Sequence, residues 1–312
     1  MYKATKRTAL AAFSFAAILS GPALADCKPL SRIAALDLVP GADRLSVFVP
    51  VTIQGKSKLM LLDTGVASTE LTQEAVSELS LYSRRGIQVQ YDTAGQRSNT
   101  VADASLALGS LRVDQLTLNV ASQRNLFSDT THVVGVLATE ILSHYDLDID
   151  FPANKLGIMS PDHCEGKVIY WNAPTVAVAP IQVIDSGHII FPVTVDGKTV
   201  NALLDTGASG TSIAAAEFDY GHTFKSLGFD GIAVNNPRVE IVPAITQDFL
   251  GRAPAGSPVA PIHSEARPDV QWSMVLGMNV LRHFHFYIAY QEKKIYITPT
   301  EQPAAHATAS AP

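Results

Sequence analysis

Apolar residues in this chain cluster in short runs rich in Val, Ile, Leu and Thr, separated by Gly, Pro, Asn and Asp, a pattern that predicts strands far more often than helices. Strands are predicted at residues 45–53, 87–91, 106–120, 189–195 and 239–245. The clearest helix candidates are short, at 72–79 and around 139–143 and 279–283. A Pro-, Ala- and Gly-dense stretch at 251–268 predicts a mobile surface loop, and the Ala/Thr/Pro-rich residues 299–312 predict a disordered tail. The expected fold class is all-β.

The pattern occurs twice. Pro50-Val51-Thr52-Ile53-Gln54-Gly55-Lys56 runs on to Leu61-Leu62-Asp63-Thr64-Gly65, and Pro192-Val193-Thr194-Val195-Asp196-Gly197-Lys198 runs on to Leu203-Leu204-Asp205-Thr206-Gly207. The offset is 142 (205 − 63) without a gap, and 10 of the 16 positions from 50 to 65 are identical to their mates, which marks a tandem duplication. A second pair follows at an offset of 139 (277 − 138). Gly135-Val136-Leu137-Ala138-Thr139-Glu140-Ile141-Leu142 matches Met274-Val275-Leu276-Gly277-Met278-Asn279-Val280-Leu281. Each copy runs into an alternating strand pattern, at 145–158 and 284–297. The duplication implies a pseudo-twofold molecule with its boundary near 160–180, where Pro161, Gly166, Pro174 and Pro180 cluster.

The N-terminus departs from this plan. Lys6-Arg7, an apolar run over 9–19, Gly21-Pro22 and the small residues Ala23 and Ala25 have the layout of a secretory signal peptide cleaved before Asp26. The expected organisation is therefore a leader over 1–25, an N-terminal lobe over 26–165, a C-terminal lobe over 166–298 and the tail over 299–312. No later run approaches the ~20 apolar residues of a membrane helix, so the expected location is periplasmic or secreted, with no membrane association after cleavage. The 23 basic and 29 acidic residues give a formal charge of −6, and removing Lys3, Lys6 and Arg7 makes it −9 (20 − 29). An acidic chain without a basic run is a poor partner for nucleic acid. An oxidising compartment allows Cys27 and Cys164 to form a disulfide. The alternative, a reactive thiol, finds no Cys-x-x-Cys and no obvious partner base.

In both copies of Leu-Leu-Asp-Thr-Gly an apolar strand delivers an acid into a glycine turn. Such an acid either caps a surface turn or is presented at an interior, and its apolar lead-in and duplication favour the interior. A pseudo-twofold axis can then bring Asp63 and Asp205 face to face. Two carboxyls that close share one proton, so one member serves as a base and the other as an acid. That pair can activate water and protonate a carbonyl without a metal or a covalent intermediate.

On these motifs the chain resembles the pepsin and retropepsin clan of aspartic peptidases, in the form that carries both lobes on one chain, over roughly residues 38–299. The resemblance implies a bilobal fold of two duplicated β-barrel-like lobes around a central cleft. It implies Asp63 and Asp205 as the catalytic dyad, Thr64 and Thr206 interlocking across the axis, Gly65 and Gly207 permitting the tight turns, and Val275-Leu276-Gly277 packing beneath the catalytic loop. It further implies aspartic endopeptidase activity on peptide or protein substrates, no cofactor, and a monomer with an intramolecular dyad. A flap hairpin is expected after the first catalytic strand, with Tyr91 facing substrate and Gly95 in its turn. The second half offers only Phe229-Asp230-Gly231 as a counterpart.

Two positions depart from the family pattern: Val66 follows the first Asp-Thr-Gly, and Ala138 stands where glycine is expected. With Val66 and Ala208 in place of hydroxyl residues, the dyad loses donors that would depress its titration, which predicts a mildly acidic optimum. The competing reading is an inactive peptide-binding or inhibitor protein that keeps the fold. Asp146, Asp148 and Asp150 lack the loop glycine and terminal Glu of a calcium hand and read as a solvated strand face. His283 and His285 alternate, with His144 the repeat mate of His283, but two histidines without a third ligand at a plausible spacing read as structural, so no metal site is expected.

Overall fold

The computed structural model describes residues 27–91, 97–121, 132–184, 187–243 and 271–299. The leader over 1–25, the flap tip with Gly95, the loop over 251–268 and the tail beyond Pro299 lie outside the described residues. The fold is all-β, with three short helices among those residues: Gln73–Glu78, Thr139–Leu142 and Met278–Leu281. The first is capped by the Thr72 side chain, which accepts the Ala75 amide.

Each half opens with the same hairpin. Val47–Ile53 alternates buried and half-buried residues and pairs antiparallel with Lys56–Leu62 through Gln54-Gly55, both at positive φ. Ile189–Val195 pairs with Lys198–Leu204 through Asp196-Gly197 in the same conformation. Two consecutive left-handed residues give a turn whose twist matches the strands, so residues 54–55 and 196–197 set the register that carries each Asp-Thr-Gly to its place.

The halves then diverge. In the first, Arg97–Leu108 folds back on Leu111–Val120 and also pairs with Val47–Ile53, closing the sheet on itself. The single strand expected over 106–120 is thus two, broken at Gly109, where φ is +60 and the chain reverses. Among the described residues of the second half the sheet stays open. From Leu71 to Leu106 the first half uses 35 residues, whereas from their mates Ile213 to Leu227 the second uses 14. The missing 21 (35 − 14) are the helix and most of the flap hairpin. The counterpart of Leu111–Val120 is also split, into Ile232–Asn235 and Val239–Val242, at Asn236-Pro237, where proline cannot donate to a ladder. By this register the Asp230-Gly231 hairpin is the mate of the Gly109-Ser110 turn, so it is not a second flap.

The chain ends of both halves share a central six-stranded sheet, ordered Arg32–Asp37, Lys155–Met159, Asp146–Asp150, Phe284–Ala289, Lys294–Pro299 and Ala177–Pro180. The alternating patterns at 145–158 and 284–297 are hairpins within it. Asp148 lies opposite Tyr287, its own repeat mate at the 139 offset, so the pseudo-twofold axis passes through this pairing. One apolar core runs through the molecule and includes Val49, Leu62 and Ile149 from the first half and Val193, Leu204 and Phe286 from the second.

The expected solvated acidic face is overturned here, because Asp146 is fully buried and Asp148 nearly so. Their strand sits mid-sheet beneath the Trp171 region rather than at a surface. Asp146 bonds His163 Nε2 at 2.6 Å and accepts the Tyr290 amide at 3.0 Å. Asp148 bonds His285 and accepts the Tyr170 hydroxyl. His285 also stacks on Trp171 with centroids 3.8 Å apart, a structural role as expected. Burial pushes the Asp146 carboxyl above the ordinary range despite His163, whose own titration is raised by Asp146.

Cys27 and Cys164 form a disulfide that closes 137 residues and ties the first described residue to the end of the central hairpin. Replacing both cysteines by serine should lower unfolding free energy by about 5 kcal/mol in the chain-entropy model, measured by urea unfolding of the oxidised parent beside the variant. A loss below ~1 kcal/mol would mean the unfolded chain is already constrained.

Candidate active site

Each Asp-Thr-Gly emerges from the second strand of its opening hairpin, and each is anchored by a parallel neighbour. Lys56–Leu62 runs parallel to Val133–Leu137, and Lys198–Leu204 runs parallel to Met274–Leu276. At the end of each pair the acid's own amide donates to the neighbour's last carbonyl, Asp63 to Leu137 at 3.0 Å and Asp205 to Leu276 at 3.1 Å. Met60, Leu62, Leu137, Leu204 and Leu276 around these points are buried, and each contributes roughly 1.5–3 kcal/mol. That apolar setting offsets the cost of placing two acids where the strands end.

The two loops meet across the pseudo-twofold axis through their threonines. The Thr64 hydroxyl donates to the Leu204 carbonyl and the Thr206 hydroxyl to the Leu62 carbonyl, both at 2.8 Å. Each hydroxyl also accepts the other threonine's amide, at 3.1 Å in both directions. Four buried bonds at about 0.5–1.5 kcal/mol each fix the two halves to one another at this point. The glycines work differently from expectation. Gly65 and Gly207 are not among the residues at positive φ, so the turn itself does not demand them. A Cβ on Gly65 would overlap the Asp205 carboxylate, and one on Gly207 would overlap that of Asp63. Glycine is needed for the close approach of the opposite acid.

Asp63 and Asp205 are thereby brought together, close enough for each to influence the other's titration. Asp63 is buried and Asp205 half-buried. Burial first, and the Asp205 charge second, push the Asp63 carboxyl well above the ordinary range, with a smaller contribution from the Glu70 charge. Asp205 is also raised by burial. Opposing that, its Oδ1 accepts the Gly207 and Ala208 amides, each at 2.9 Å, whereas the Asp63 Oδ1 accepts the Gly65 amide at 2.8 Å. Amide donors stabilise the charged form, so the negative charge rests on Asp205 and the shared proton on Asp63. A pair poised in this way can deprotonate water with one member while protonating an oxygen with the other.

Residues the sequence reading passed over hold the loops from below. Thr69 accepts the Ala138 amide at 3.0 Å, and its mate Thr211 accepts the Gly277 amide at 3.1 Å. Ala138 therefore makes the same anchoring bond as Gly277. The difference lies in the space available: a Cβ on Gly277 would overlap the Gly210 carbonyl, whose counterpart in the first loop is Ser68. Below Thr69 lies Glu140, which accepts the Thr69 amide, and below Thr211 lies Asn279, which accepts the Thr211 hydroxyl at 2.6 Å. All four sit at matched repeat positions, 142 apart for the threonines and 139 apart for Glu140 and Asn279, so extending the alignment by a few residues finds them.

Ser83–Tyr91 pairs with Arg97–Leu108 in the hairpin expected as the flap, with Tyr91 opposite Arg97 at its described end. The turn beyond, including Gly95, lies outside the described residues. Among the described residues no group of three metal-ligating side chains comes together.

Residues 49–139 match a family model described as aspartyl protease. No curated protein sequence matches the chain. Among solved structures, the aspartic proteinase from Irpex lacteus is similar in fold at 15% identity and a TM-score of 0.53, covering 87% of this chain and 98% of that one.

Two outcomes follow from this geometry. Between the unfolded Asp pKa of about 3.9 and the raised folded value, the native state binds the extra proton, so stability falls as pH rises. Asp63→Asn should consequently raise the melting temperature near pH ~7 and leave it nearly unchanged near pH ~3; an equal shift at both would contradict a buried acid. Gly277→Ala should cost about 1–3 kcal/mol by overpacking against Gly210, while Ala138→Gly costs under about 1 kcal/mol, as read by chemical denaturation.

Proposed function

We propose that this chain, whose family match and fold support an aspartic peptidase of the pepsin/retropepsin type, is an active endopeptidase exported to the periplasm or secreted, with Asp63 and Asp205 as its catalytic dyad. The observation that carries this reading is the pairing of the two carboxyls with unequal amide support, which leaves one neutral and one charged. Export is supported by the leader pattern at 1–25 and by the Cys27–Cys164 disulfide, which suits an oxidising compartment.

The reaction is balanced by the dyad alone. A water bound between the carboxyls gives one proton to Asp205 as its oxygen attacks the scissile carbonyl carbon, while Asp63 gives its proton to the carbonyl oxygen. The product is a neutral tetrahedral diol. Asp205 then protonates the amine nitrogen, Asp63 takes back a proton from one hydroxyl of the diol, and the carbon–nitrogen bond breaks. Both acids return to their starting states. The threonine bonds keep the two carboxyls at fixed separation through these transfers, so little reorganisation is needed as charge moves.

Purified chain from Asp26 onward, incubated with unfolded protein from about pH 3 to 8 beside Asp63→Asn and Asp205→Asn, tests the assignment. The parent should cleave and both variants should be folded and lose at least about 10³-fold in kcat. Because both carboxyls are raised, the maximum should fall at mild acidity, well above pH ~2. A parent as inert as its variants, without affinity for a pepstatin-like peptide, would transfer the cleft to the non-catalytic binding reading.

A further inference from the structure

The two catalytic loops are supported from below by the same scaffold with one chemical difference. Under the Asp205 loop, Asn279 accepts the Thr211 hydroxyl through Oδ1 and donates through Nδ2 to the Arg238 carbonyl at 2.7 Å, so both ends of its carboxamide are used. Under the Asp63 loop the matched residue is Glu140, whose Oε1 accepts the Thr69 amide. Its Oε2 is buried without a hydrogen-bond partner. A carboxamide cannot ionise, whereas a carboxyl can, and an anionic oxygen with neither water nor a donor is strongly disfavoured.

We propose that Glu140 is a positioning residue that holds the Asp63 loop only while it is protonated, so that its ionisation releases the Thr69 anchor and switches off the Asp63 side of the site, while Asn279 holds the Asp205 side at every pH. The chain of contacts is short. Glu140 holds the Thr69 amide, the Thr69 hydroxyl accepts the Ala138 amide, and the adjacent Leu137 carbonyl accepts the Asp63 amide. The next residue, Thr139, donates from its amide and its hydroxyl to the Val66 carbonyl within the loop itself. Water is excluded from Oε2 in this buried seat, so an ionised Glu140 gains solvation by leaving it, and that movement frees the Thr69 amide from Oε1.

The electrostatic setting agrees. Burial pushes the Glu140 carboxyl up to about 7, against the opposing effect of the Thr69 amide and hydroxyl and its own amide. The titratable groups on the elements around it are Asp63 on the loop, Glu70 on the strand that follows, and His188, beside Gly187, which packs on Ser143 and the Thr139 carbonyl.

The inference rests on the peptidase reading for its consequence, and it is tested first without activity. In the Asp63→Asn chain, melting temperature should fall by several degrees from pH ~5 to ~7.5, because the folded state retains a proton that the unfolded Glu has lost. Adding Glu140→Gln should abolish most of that slope; equal slopes with and without it would overturn the proposal. Should the double variant fail to fold, the carbon-13 shift of the Glu140 carboxyl in the Asp63→Asn chain decides. Titration near neutrality supports the proposal, and titration at the ordinary value of about 4.3 overturns it. In the active chain, Glu140→Gln should carry the alkaline limb of kcat/KM to higher pH with KM little changed, and Glu140→Ala should lower kcat at all pH values. An alkaline limb unmoved by Glu140→Gln would also overturn it. An inert parent would defeat the peptidase reading alone, since the melting and titration results stand apart from turnover.

Discussion

Two carboxyls held against each other across a pseudo-twofold axis are the constraint on which the rest of this structure depends. Burial opposes ionisation of both acids, and the Asp205 charge opposes that of Asp63 as well. They persist because each loop is tied to the opposite half through Thr64 and Thr206 and to its own half through a parallel strand. The glycines at 65 and 207 belong to the same solution, since a methyl group at either would occupy the opposite carboxylate.

The asymmetries of the molecule have consequences at that point. Among the described residues, the segment between matched strands is shorter in the second half, and its sheet stays open where that of the first half closes. Asp205 receives two amides where Asp63 receives one, which assigns the proton without any difference in side-chain type. Glu140 stands where the other half has Asn279, giving one loop a titratable support and the other a permanent one. A duplicated frame thus holds two acids symmetrically while differences a few residues away set unequal roles for them.

Much of this was legible in the sequence because duplication writes each feature twice. The 142-residue offset alone identified the acids, the threonines and the opening hairpins, and the short helices fell where their patterns placed them. What was illegible depended on neighbours in space. Asp146 and Asp148 look like a solvated face by alternation, and only the central sheet reveals that His163, His285 and Tyr170 surround them. The break at Gly109 was hidden within a long apolar run, and only the strand register shows that the Asp230-Gly231 turn, the nearest second-half candidate for a flap, matches the Gly109-Ser110 turn instead. Ala138 looked like a defect until its amide was seen on Thr69.

The central claim is that Asp63 and Asp205 form a single titrating unit with one shared proton. Carbon-13 labelling of aspartate carboxyls, with Asp63→Asn and Asp205→Asn used to assign the two signals, tests this directly by titration of the folded chain. The account predicts two coupled steps, with a proton retained well above the ordinary Asp value of about 3.9, and a return of the remaining acid toward simple single-site titration when its partner is replaced. Two independent titrations near about 3.9, each unaffected by replacement of the other, would contradict it.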